Sequence, residues 1–460
     1  MKKTNWTYDF PPVSAKAWKQ QIQVDLKGAD YNEHLIWESP DHINVKPFYN
    51  AEDLNEAPAL NINTPDSWHI GQEIYVQSVS AANKKALDAL ARGAESIVFN
   101  LPTEEIKIQE LFKGMDVSVI PVHLNLQFLS PSFTASVFEF CSKTRATIYV
   151  HTDVLGNLAR TGNWYNSLEK DLQLHNEIQQ QSVSISRLSI DASLFQNAGA
   201  SRVQQLAYAL SQANEYLNLI DNHKNPGQLN EPVFKVAVDS NYFFEIAKLR
   251  ALRILWATLA KEYGFNQNCL IIASPTKRNK TIYEYNANLL RTTTECMAAV
   301  LGGADMVCNL PYDSIYHKDN EFGERIARNQ LLILKNESYF DAVSNPADGA
   351  YYIETLTHQL AEKALALFKE IEASGGFLKA LKNHNIQKKI KESAVKEQLH
   401  FENGQEILVG SNKYVNDKDT MKDTIEIYPF LKTHPKKTLI EPILERRIAE
   451  SIEQNRLDNE

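Results

Sequence analysis

The feature that most constrains the fold is a regular alternation, from Glu73 onward, of short apolar runs with segments of helical spacing. The repeating unit is clearest near the end of the series. There a helical pattern stops at Gly302 and Gly303, and a short apolar run follows at once, which is the order of an α/β repeat. The apolar runs are rich in β-branched residues and span residues 74–79, 96–100, 117–126, 147–154, 183–190, 234–239, 270–274 and 305–309.

Eight parallel strands with eight intervening helices is the count of a TIM (β/α)8 barrel, and right-handed crossovers follow from the chirality of the chain. The predicted fold class is therefore α/β, a TIM barrel. An open, doubly wound sheet of eight strands is the alternative architecture. The helical patterns span residues 81–92, 104–112, 132–143, 164–179, 201–220, 242–263, 283–301 and 321–335.

Three segments are expected along the chain. Residues 1–36 form an N-terminal arm, in which Ser14 caps a helix at 15–27 that carries Trp18 on its apolar stripe. Residues 37–345 hold the barrel, which begins after a short hairpin around Pro40. Residues 346–460 predict a C-terminal helical extension that wraps the barrel, with helices at 357–374, from Phe377 onward and at 442–455, and a short strand at 425–428.

Composition excludes several classes of protein. The net charge of −9 argues against a general nucleic-acid binder. Four cysteines with no CxxC spacing predict neither a disulfide framework nor a zinc site, which fits a reducing cytoplasm. The N-terminus has no apolar signal region, and no window reaches the roughly 18 apolar residues that a membrane helix needs. We therefore expect a cytoplasmic protein with no membrane partner.

Polar residues follow the predicted strands at the end of the barrel where functional side chains gather. Two histidines and three aspartates at one rim could hold a divalent metal, as in a hydrolase, but none has the close spacing of a metal motif. Polar residues at strand ends also often satisfy loop backbone, so no metal is predicted. The residues at these positions are His123, Asn125, His151, Asp153, Asp191, Asp239, Ser274 and Asn309.

A basic loop follows the seventh apolar run and contains Lys277, Arg278 and Lys280. It could bind an anionic ligand at the functional rim, and it is equally consistent with a solvated loop. The phosphate-binding patterns GxGxxG and GxxxxGK[ST] do not occur in the sequence. The residues alone thus predict a TIM barrel without a recognisable catalytic constellation.

Several ordered blocks of sequence resemble the barrel domain of methylmalonyl-CoA mutase and its cobalamin-dependent relatives. The blocks are RTTTECMAAVLGGADMV, ERIARN and NPADGAYYIE, together with residues 68–72, 185–217 and 241–261. The resemblance covers roughly residues 30–390 and implies the same barrel fold. The matching residues of the packing kind are Arg291, Thr292, Glu295, Gly302, Arg325, Arg328, Asn329, Tyr351 and Tyr352.

The positions that the family uses for catalysis have changed. Where the resemblance implies an arginine and a tyrosine beside the substrate, this chain has Gly71 and Glu73. Where it implies a tyrosine and a histidine that bonds the thioester carbonyl, the chain has Ser193 and Leu194. Leucine cannot donate that hydrogen bond, which is typically worth a few kcal/mol in the transition state. A histidine and a glutamate of the loop that faces the cofactor are replaced by Cys308 and Ser314.

The resemblance therefore implies a non-catalytic small subunit of a heterodimeric methylmalonyl-CoA mutase. This isomerase interconverts methylmalonyl-CoA and succinyl-CoA by a radical rearrangement. No Asp-x-His-x-x-Gly cobalamin motif occurs here, so adenosylcobalamin is expected on the partner, the catalytic large subunit. The N-terminal arm with Trp18 and the C-terminal extension are expected to contact that partner.

Two other hypotheses stay open. One is a stand-alone acyl-CoA-binding barrel, alone or as a homodimer, that uses Lys277, Arg278 and Lys280 for the CoA phosphates. The other is a split enzyme that is completed by a separate cobalamin domain. Leu194 and Glu73 weigh against the split enzyme, because a working mutase would keep its substrate-side residues.

Overall fold

In the computed structural model, eight parallel strands close into a barrel within the described residues, which are 13–54, 62–181, 186–221, 231–431 and 437–460. Two further strands form an antiparallel hairpin ahead of the barrel. The hairpin strands are β1 (Trp37–Glu38) and β2 (Asn44–Val45), and the barrel strands are β3 (His69–Tyr75), β4 (Ser96–Leu101), β5 (Val122–Leu126), β6 (Ile148–Thr152), β7 (Ser186–Asp191), β8 (Val233–Val238), β9 (Leu270–Pro275) and β10 (Met306–Cys308).

Helices surround the barrel, and a set of them follows it as the C-terminal extension. They are α1 (Ala15–Asp25), α2 (Tyr31–Leu35), α3 (Val79–Ala91), α4 (Ile108–Leu111), α5 (Pro131–Thr144), α6 (Val154–Thr161), α7 (Leu168–Gln181), α8 (Ser193–Asn197), α9 (Arg202–Asp221), α10 (Tyr242–Glu262), α11 (Ala287–Leu301), α12 (Glu321–Asn336), α13 (Tyr351–Ala373), α14 (Gly376–Lys382), α15 (Asn385–Glu402) and α16 (Glu450–Asp458). None of the helices in the described part of the chain has the length and apolarity of a transmembrane span.

Alternation along each strand separates an outer core from the barrel interior. On β5, Val122 and Leu124 pack against the helices, while His123 and Asn125 face inward. A separate cluster joins side chains of β4, β8, β9 and β10 across the barrel, so these residues must lie inside it. The barrel is therefore filled with side chains below its rim. The members of this inner cluster are Val98, Val233, Ile272, Met306 and Cys308.

The predicted TIM barrel is confirmed, and each of the eight apolar runs overlaps a barrel strand. The first apolar run, at 74–79, lies too far along the chain. Its strand, β3, begins at His69, and Val79 already belongs to α3. Residues 183–185 of the fifth run lie outside the described residues. The helix predicted at 104–112 is reduced to the single turn of α4, and the short helices α6 and α8 were not predicted.

Two predictions in the C-terminal extension were wrong. Residues 425–428 form no strand, because the amides of Glu426 and Ile427 both donate to the carbonyl of Tyr316 and do not pair with another strand. The final helix begins at Glu450, not at residue 442. The residues before it are not helical, because their amides donate to other segments instead of to their own helix, as the amide of Ile443 does to the carbonyl of Ala159.

Candidate functional site

A cavity of about 1090 Å³ lies at the carboxyl ends of the barrel strands, where TIM-barrel enzymes place their active sites. Inward-facing residues of β3, β4, β5, β7, β8 and β9 form its lower wall. Residues 428–431 and 445–447 of the C-terminal extension contribute to its rim. The cavity is therefore bounded by the barrel and by the C-terminal extension together.

The two histidines that were candidate metal ligands lie side by side inside the barrel. Nδ1 of His123 is 2.9 Å from Nε2 of His151, and the two rings stack with centroids 5.1 Å apart. Asp153 and Asp191 belong to a different hydrogen-bond network. Within the described residues, no group of three histidine, cysteine, aspartate or glutamate side chains has an arrangement suited to a metal ion. The metal-hydrolase hypothesis gains no support.

Asp153, directly after β6, lines the cavity and is partly buried among hydrogen-bond donors. Its carboxylate accepts from the amide of Gly156 at 2.8 Å, from the amide side chain of Gln212 at 2.7 Å and from the hydroxyl of Tyr216 at 2.7 Å. Burial outweighs these bonds and raises the pKa of Asp153 to about 6. These donors on α6 and α9 fix the orientation of the carboxylate.

We predict that Asp153 gives the protein a distinct pH dependence. Its native pKa of about 6 lies above the ordinary 3.8, so the native state binds more protons between these values. Stability therefore falls as pH rises from 4 to 7, by roughly 3 kcal/mol. Asp153→Asn removes this dependence. Urea unfolding measures the free energy of unfolding of both proteins between pH 4 and pH 7. As pH rises over this range, the free energy of unfolding of Asp153→Asn should rise relative to that of wild type by that amount. The exposed control Asp417→Asn should have the same pH dependence as wild type. Parallel curves for Asp153→Asn and wild type would refute the assignment.

Asp191, at the end of β7, is held by cations. Burial tends to raise its pKa, but Arg160 on α6 and then Lys235 on β8 outweigh burial and lower it. Nη2 of Arg160 is 2.5 Å from the carboxylate, and Ser193 donates to its other oxygen. Lys235 is the registered neighbour of Asp191 on β8 and lines the cavity. Asp191 therefore lines the cavity as a carboxylate whose negative charge is balanced by neighbouring cations.

Three of the four remaining strand-end residues make hydrogen bonds with other side chains. Across β3, β4 and β5, Asn125 donates to Asn100 and Asn100 donates to Glu73, each at 2.7 Å. Ser274 lines the cavity. Asp239 accepts from the side chain of Asn279 at 3.0 Å. Asn309 lines the cavity and donates to Gln330 on α12 at 2.8 Å.

A side chain at Gly71 would overlap its neighbours unless they moved. A Cβ built there would lie 2.5 Å from Sγ of Cys308 and 2.6 Å from Sδ of Met306. Burial also raises the pKa of the Cys308 thiol well above its usual range. The sulfur atoms of β10 therefore fill the space that a larger residue on β3 would need, and Cys308 stays a protonated core residue.

We predict that Gly71→Ala lowers the free energy of unfolding by about 1–3 kcal/mol, because the added methyl overpacks the barrel interior. Chemical denaturation measures the effect. In a Cys308→Ala background one of the two clashing sulfur atoms is gone, so the same substitution should be less destabilising. An equal penalty in both backgrounds would contradict this packing.

Leu194 lies on α8 with 1% of its surface exposed and belongs to the main hydrophobic core. Its neighbour Ser193 is bonded to Asp191. Ser314 lines the cavity and carries a neutral hydroxyl. The structure therefore places Glu73, Ser193, Cys308 and Ser314 around the mouth, while Leu194 faces the core.

Two of the three cations in the loop after β9 are buried in ion pairs. Lys280 is 1% exposed, and its Nζ lies 2.7 Å from the carboxylate of Glu295. Arg278 is 5% exposed and bonds Glu397 at 2.6 Å. Lys277 is about half exposed and faces the cavity. This loop offers one available cation to a ligand, which does not favour the CoA-phosphate hypothesis.

Several residues of the matched blocks make structural contacts. Arg291 donates to the carbonyl of Val409 in the C-terminal extension at 2.6 Å. Arg328 donates to Gln72 of β3 at 3.0 Å. These contacts link helices to strands and to the extension, and neither arginine is among the residues that line the cavity.

Three cavity residues were missed from the sequence. Arg160 lies on α6, a helix that was not predicted, and Glu445 lies in a stretch that was assigned to a helix. Lys235 could have been found, because it is the one charged residue of strand β8 and its alternation with Phe234 places it inside the barrel.

A family model and three known proteins that are similar to this chain all bear the name methylmalonyl-CoA mutase. The family model described as methylmalonyl-CoA mutase matches residues 105–455. The methylmalonyl-CoA mutase small subunit of Porphyromonas gingivalis is 33% identical over 452 residues, covering 91% of this chain and 72% of that protein. The small subunit of Streptomyces virginiae is 30% identical (82% and 66% covered). The methylmalonyl-CoA mutase of Rhizobium meliloti is 28% identical (90% and 65% covered). The chain thus spans 65% to 72% of the length of these relatives.

Proposed function

Because the chain belongs to the methylmalonyl-CoA mutase family, we propose that it is the small, non-catalytic subunit of a heterodimeric methylmalonyl-CoA mutase. The complex is an isomerase that interconverts methylmalonyl-CoA and succinyl-CoA, and this chain stabilises its catalytic large subunit. Similarity to two small subunits over most of the chain supports the proposal.

The observation that carries the proposal is the burial of Leu194. The family histidine at this position would bond a thioester carbonyl, but Leu194 is 1% exposed within the core. At Gly71 the neighbouring sulfur atoms leave no room for the family arginine. Restoring the family histidine at position 194 and the family arginine at position 71 would therefore require repacking of the protein interior, and not only a change of surface residues.

The residues at the mouth do not fit adenosylcobalamin. Among the described residues that line the cavity there is no histidine to ligate cobalt, and Cys308 is buried with a raised pKa. The C-terminal extension also lies across part of the rim. We therefore place adenosylcobalamin on the large subunit and derive no step through it on this chain.

A direct test uses variants of the cavity in the assembled complex. Glu73 is exposed to the cavity and occupies the position of the family tyrosine. With the large chain present, Glu73→Gln and Cys308→Ser in this chain should leave mutase kcat within twofold of wild type. A loss of more than tenfold, with the complex intact, would place catalysis on this chain and refute the proposal.

The N-terminal arm is proposed as part of the contact with the large subunit. Helix α1 buries none of its residues in this chain, and Trp18 is half exposed while stacking on Phe48 with ring centroids 4.3 Å apart. An exposed aromatic residue on a helix that lacks a core of its own is suited to anchoring a partner.

We predict that Trp18→Ala weakens association with the large chain at least tenfold, because a buried tryptophan typically contributes 2 kcal/mol or more at an interface. Phe138→Ala on α5 removes an exposed aromatic residue outside the arm and is the matched control. Analytical ultracentrifugation of the two chains gives the dissociation constants. Unchanged association of Trp18→Ala would remove the arm from the interface.

A further inference from the structure

Three groups from different elements converge at the rim of the mouth cavity. Arg160 comes from α6, Asn197 ends α8, and Lys277 lies in the loop after β9. All three line the cavity, and each presents a hydrogen-bond donor toward the same point. Two cations and an amide in this arrangement have the chemistry of a site for a carboxylate or a phosphate.

The side chain of Glu445, from the C-terminal extension, lies at that point. Its Oε1 is 3.1 Å from Nη1 of Arg160 and 3.5 Å from Nδ2 of Asn197. Its Oε2 is 3.6 Å from Nζ of Lys277. The side chain of Glu445 is about one quarter exposed and lines the cavity.

Two of the three donors, Arg160 and Asn197, are held in place by contacts other than Glu445. Arg160 also pairs with Asp191 through its other terminal nitrogen, at 2.5 Å. Asn197 is buried, and its Oδ1 accepts from the hydroxyl of Thr276 and from the amide of Lys277, both at 2.9 Å. A site most of whose donors are fixed by other contacts needs little reorganisation when its anion is exchanged.

The segment that carries Glu445 is likewise held by contacts other than this carboxylate. On one side, the amide of Ile443 donates to the carbonyl of Ala159 at 2.8 Å. On the other side, the amide of Arg446 donates to the carbonyl of Asn197 at 3.0 Å. Backbone bonds therefore bring Glu445 to the cations, and a change of its side chain leaves the segment attached.

We propose that Arg160, Asn197 and Lys277 form an anion-binding subsite that Glu445 occupies in cis. The external ligand is a small molecule with a carboxylate or a phosphate group, and it binds only when the carboxylate of Glu445 is removed or displaced. The subsite opens on the cavity of about 1090 Å³, which has space for the rest of such a molecule and is also lined by Lys235. The C-terminal extension, through the carboxylate of Glu445, thus blocks the binding of an external anion at this subsite. This holds whether or not the chain assembles with a partner.

The test is isothermal titration calorimetry of the full chain with inorganic phosphate and, separately, with succinate. Glu445→Ala should bind one or both probes at least tenfold more tightly than wild type, and the stronger probe identifies phosphate or carboxylate as the preferred group. Glu445→Gln, which loses only the charge, should show a gain in the same direction. The matched control is Glu441→Ala, which removes a carboxylate of the same segment that pairs with Lys391 away from the rim.

A second variant ties the gain to the subsite. Glu445→Ala combined with Lys277→Ala should lose the added affinity, because one of the two cations is gone. Limited proteolysis of each variant reports whether the C-terminal extension stays attached. With the extension attached, equal affinity of Glu445→Ala and wild type would overturn the proposal, and so would an equal gain in Glu441→Ala.

Discussion

Lys280→Met is expected to lower the free energy of unfolding by about 3–5 kcal/mol. Nζ of Lys280 lies 2.7 and 2.9 Å from the two oxygens of Glu295, and neither side chain is appreciably exposed. Removing the cation leaves a buried carboxylate whose only other hydrogen bond comes, within the described residues, from Asn279. Urea denaturation at pH 7 measures the loss.

The same variant should show a characteristic pH dependence. Burial already raises the pKa of Glu295 to about 7, against the lowering effect of Lys280. Without Lys280 the native pKa rises further. A native pKa above the unfolded one means that stability is lost as pH rises, so the deficit of the variant should be larger at pH 8 than at pH 6.

Lys277→Met, three residues earlier in the same loop, is the matched control. Lys277 is about half exposed and 3.6 Å from Glu445, so its removal should change stability by less than about 1 kcal/mol. A loss of under 1 kcal/mol for Lys280→Met as well would show that the Lys280–Glu295 pair does not hold this loop.

Arg447→Met is expected to have an effect of similar size, at the junction between the barrel and the C-terminal extension. Nη1 of Arg447 is 2.5 Å from Glu453 and donates to the carbonyl of Lys280 at 2.9 Å. Both members of the ion pair are at least 95% buried, so a loss of about 3–5 kcal/mol is expected. Glu453 also accepts from the amide of Ile282, whose hydrogen-exchange protection should fall in the variant.

The neighbouring Arg446 provides a close control. Its side chain is mostly exposed and 3.4 Å from Glu450, so Arg446→Met should lower stability by under about 1 kcal/mol. Its backbone contacts with Asn197 and Arg278 do not depend on the side chain. Equal stability of the two variants would contradict the role given to Arg447.

The barrel could be predicted from sequence because strands covered on both faces are apolar nearly throughout. On β9, for example, Ile271 packs outward and Ile272 inward, so both faces carry the same signal. β3 was misplaced because its inward positions are Gly71 and Glu73, which interrupt that pattern. Gly71 is explained by the sulfur atoms of β10, more than 200 residues away in sequence.

The rim could not be predicted, because its conformation depends on contacts between distant segments. Residues 442–449 have a helical pattern, but backbone bonds to Ala159, Asn197 and Arg278 replace the bonds of a helix. The surroundings of the loop after β9 could not be predicted from its sequence either. Three cations in four residues indicate a basic surface, whereas two of them are neutralised by Glu295 on α11 and Glu397 on α15. Tertiary pairing of this kind has no local signal.

The most direct test of the subunit proposal is co-expression of this chain with the longer, cobalamin-binding mutase chain of the same genome. Light scattering then gives the stoichiometry, and mutase turnover is assayed with each chain omitted. We expect a 1:1 complex whose turnover requires the cobalamin of the long chain, survives Leu194→Ala in this chain wherever that variant still folds, and falls when this chain is left out. A long chain that is fully active alone, with this chain remaining unassociated, would contradict the proposal and return the stand-alone acyl-CoA-binding barrel as the leading hypothesis.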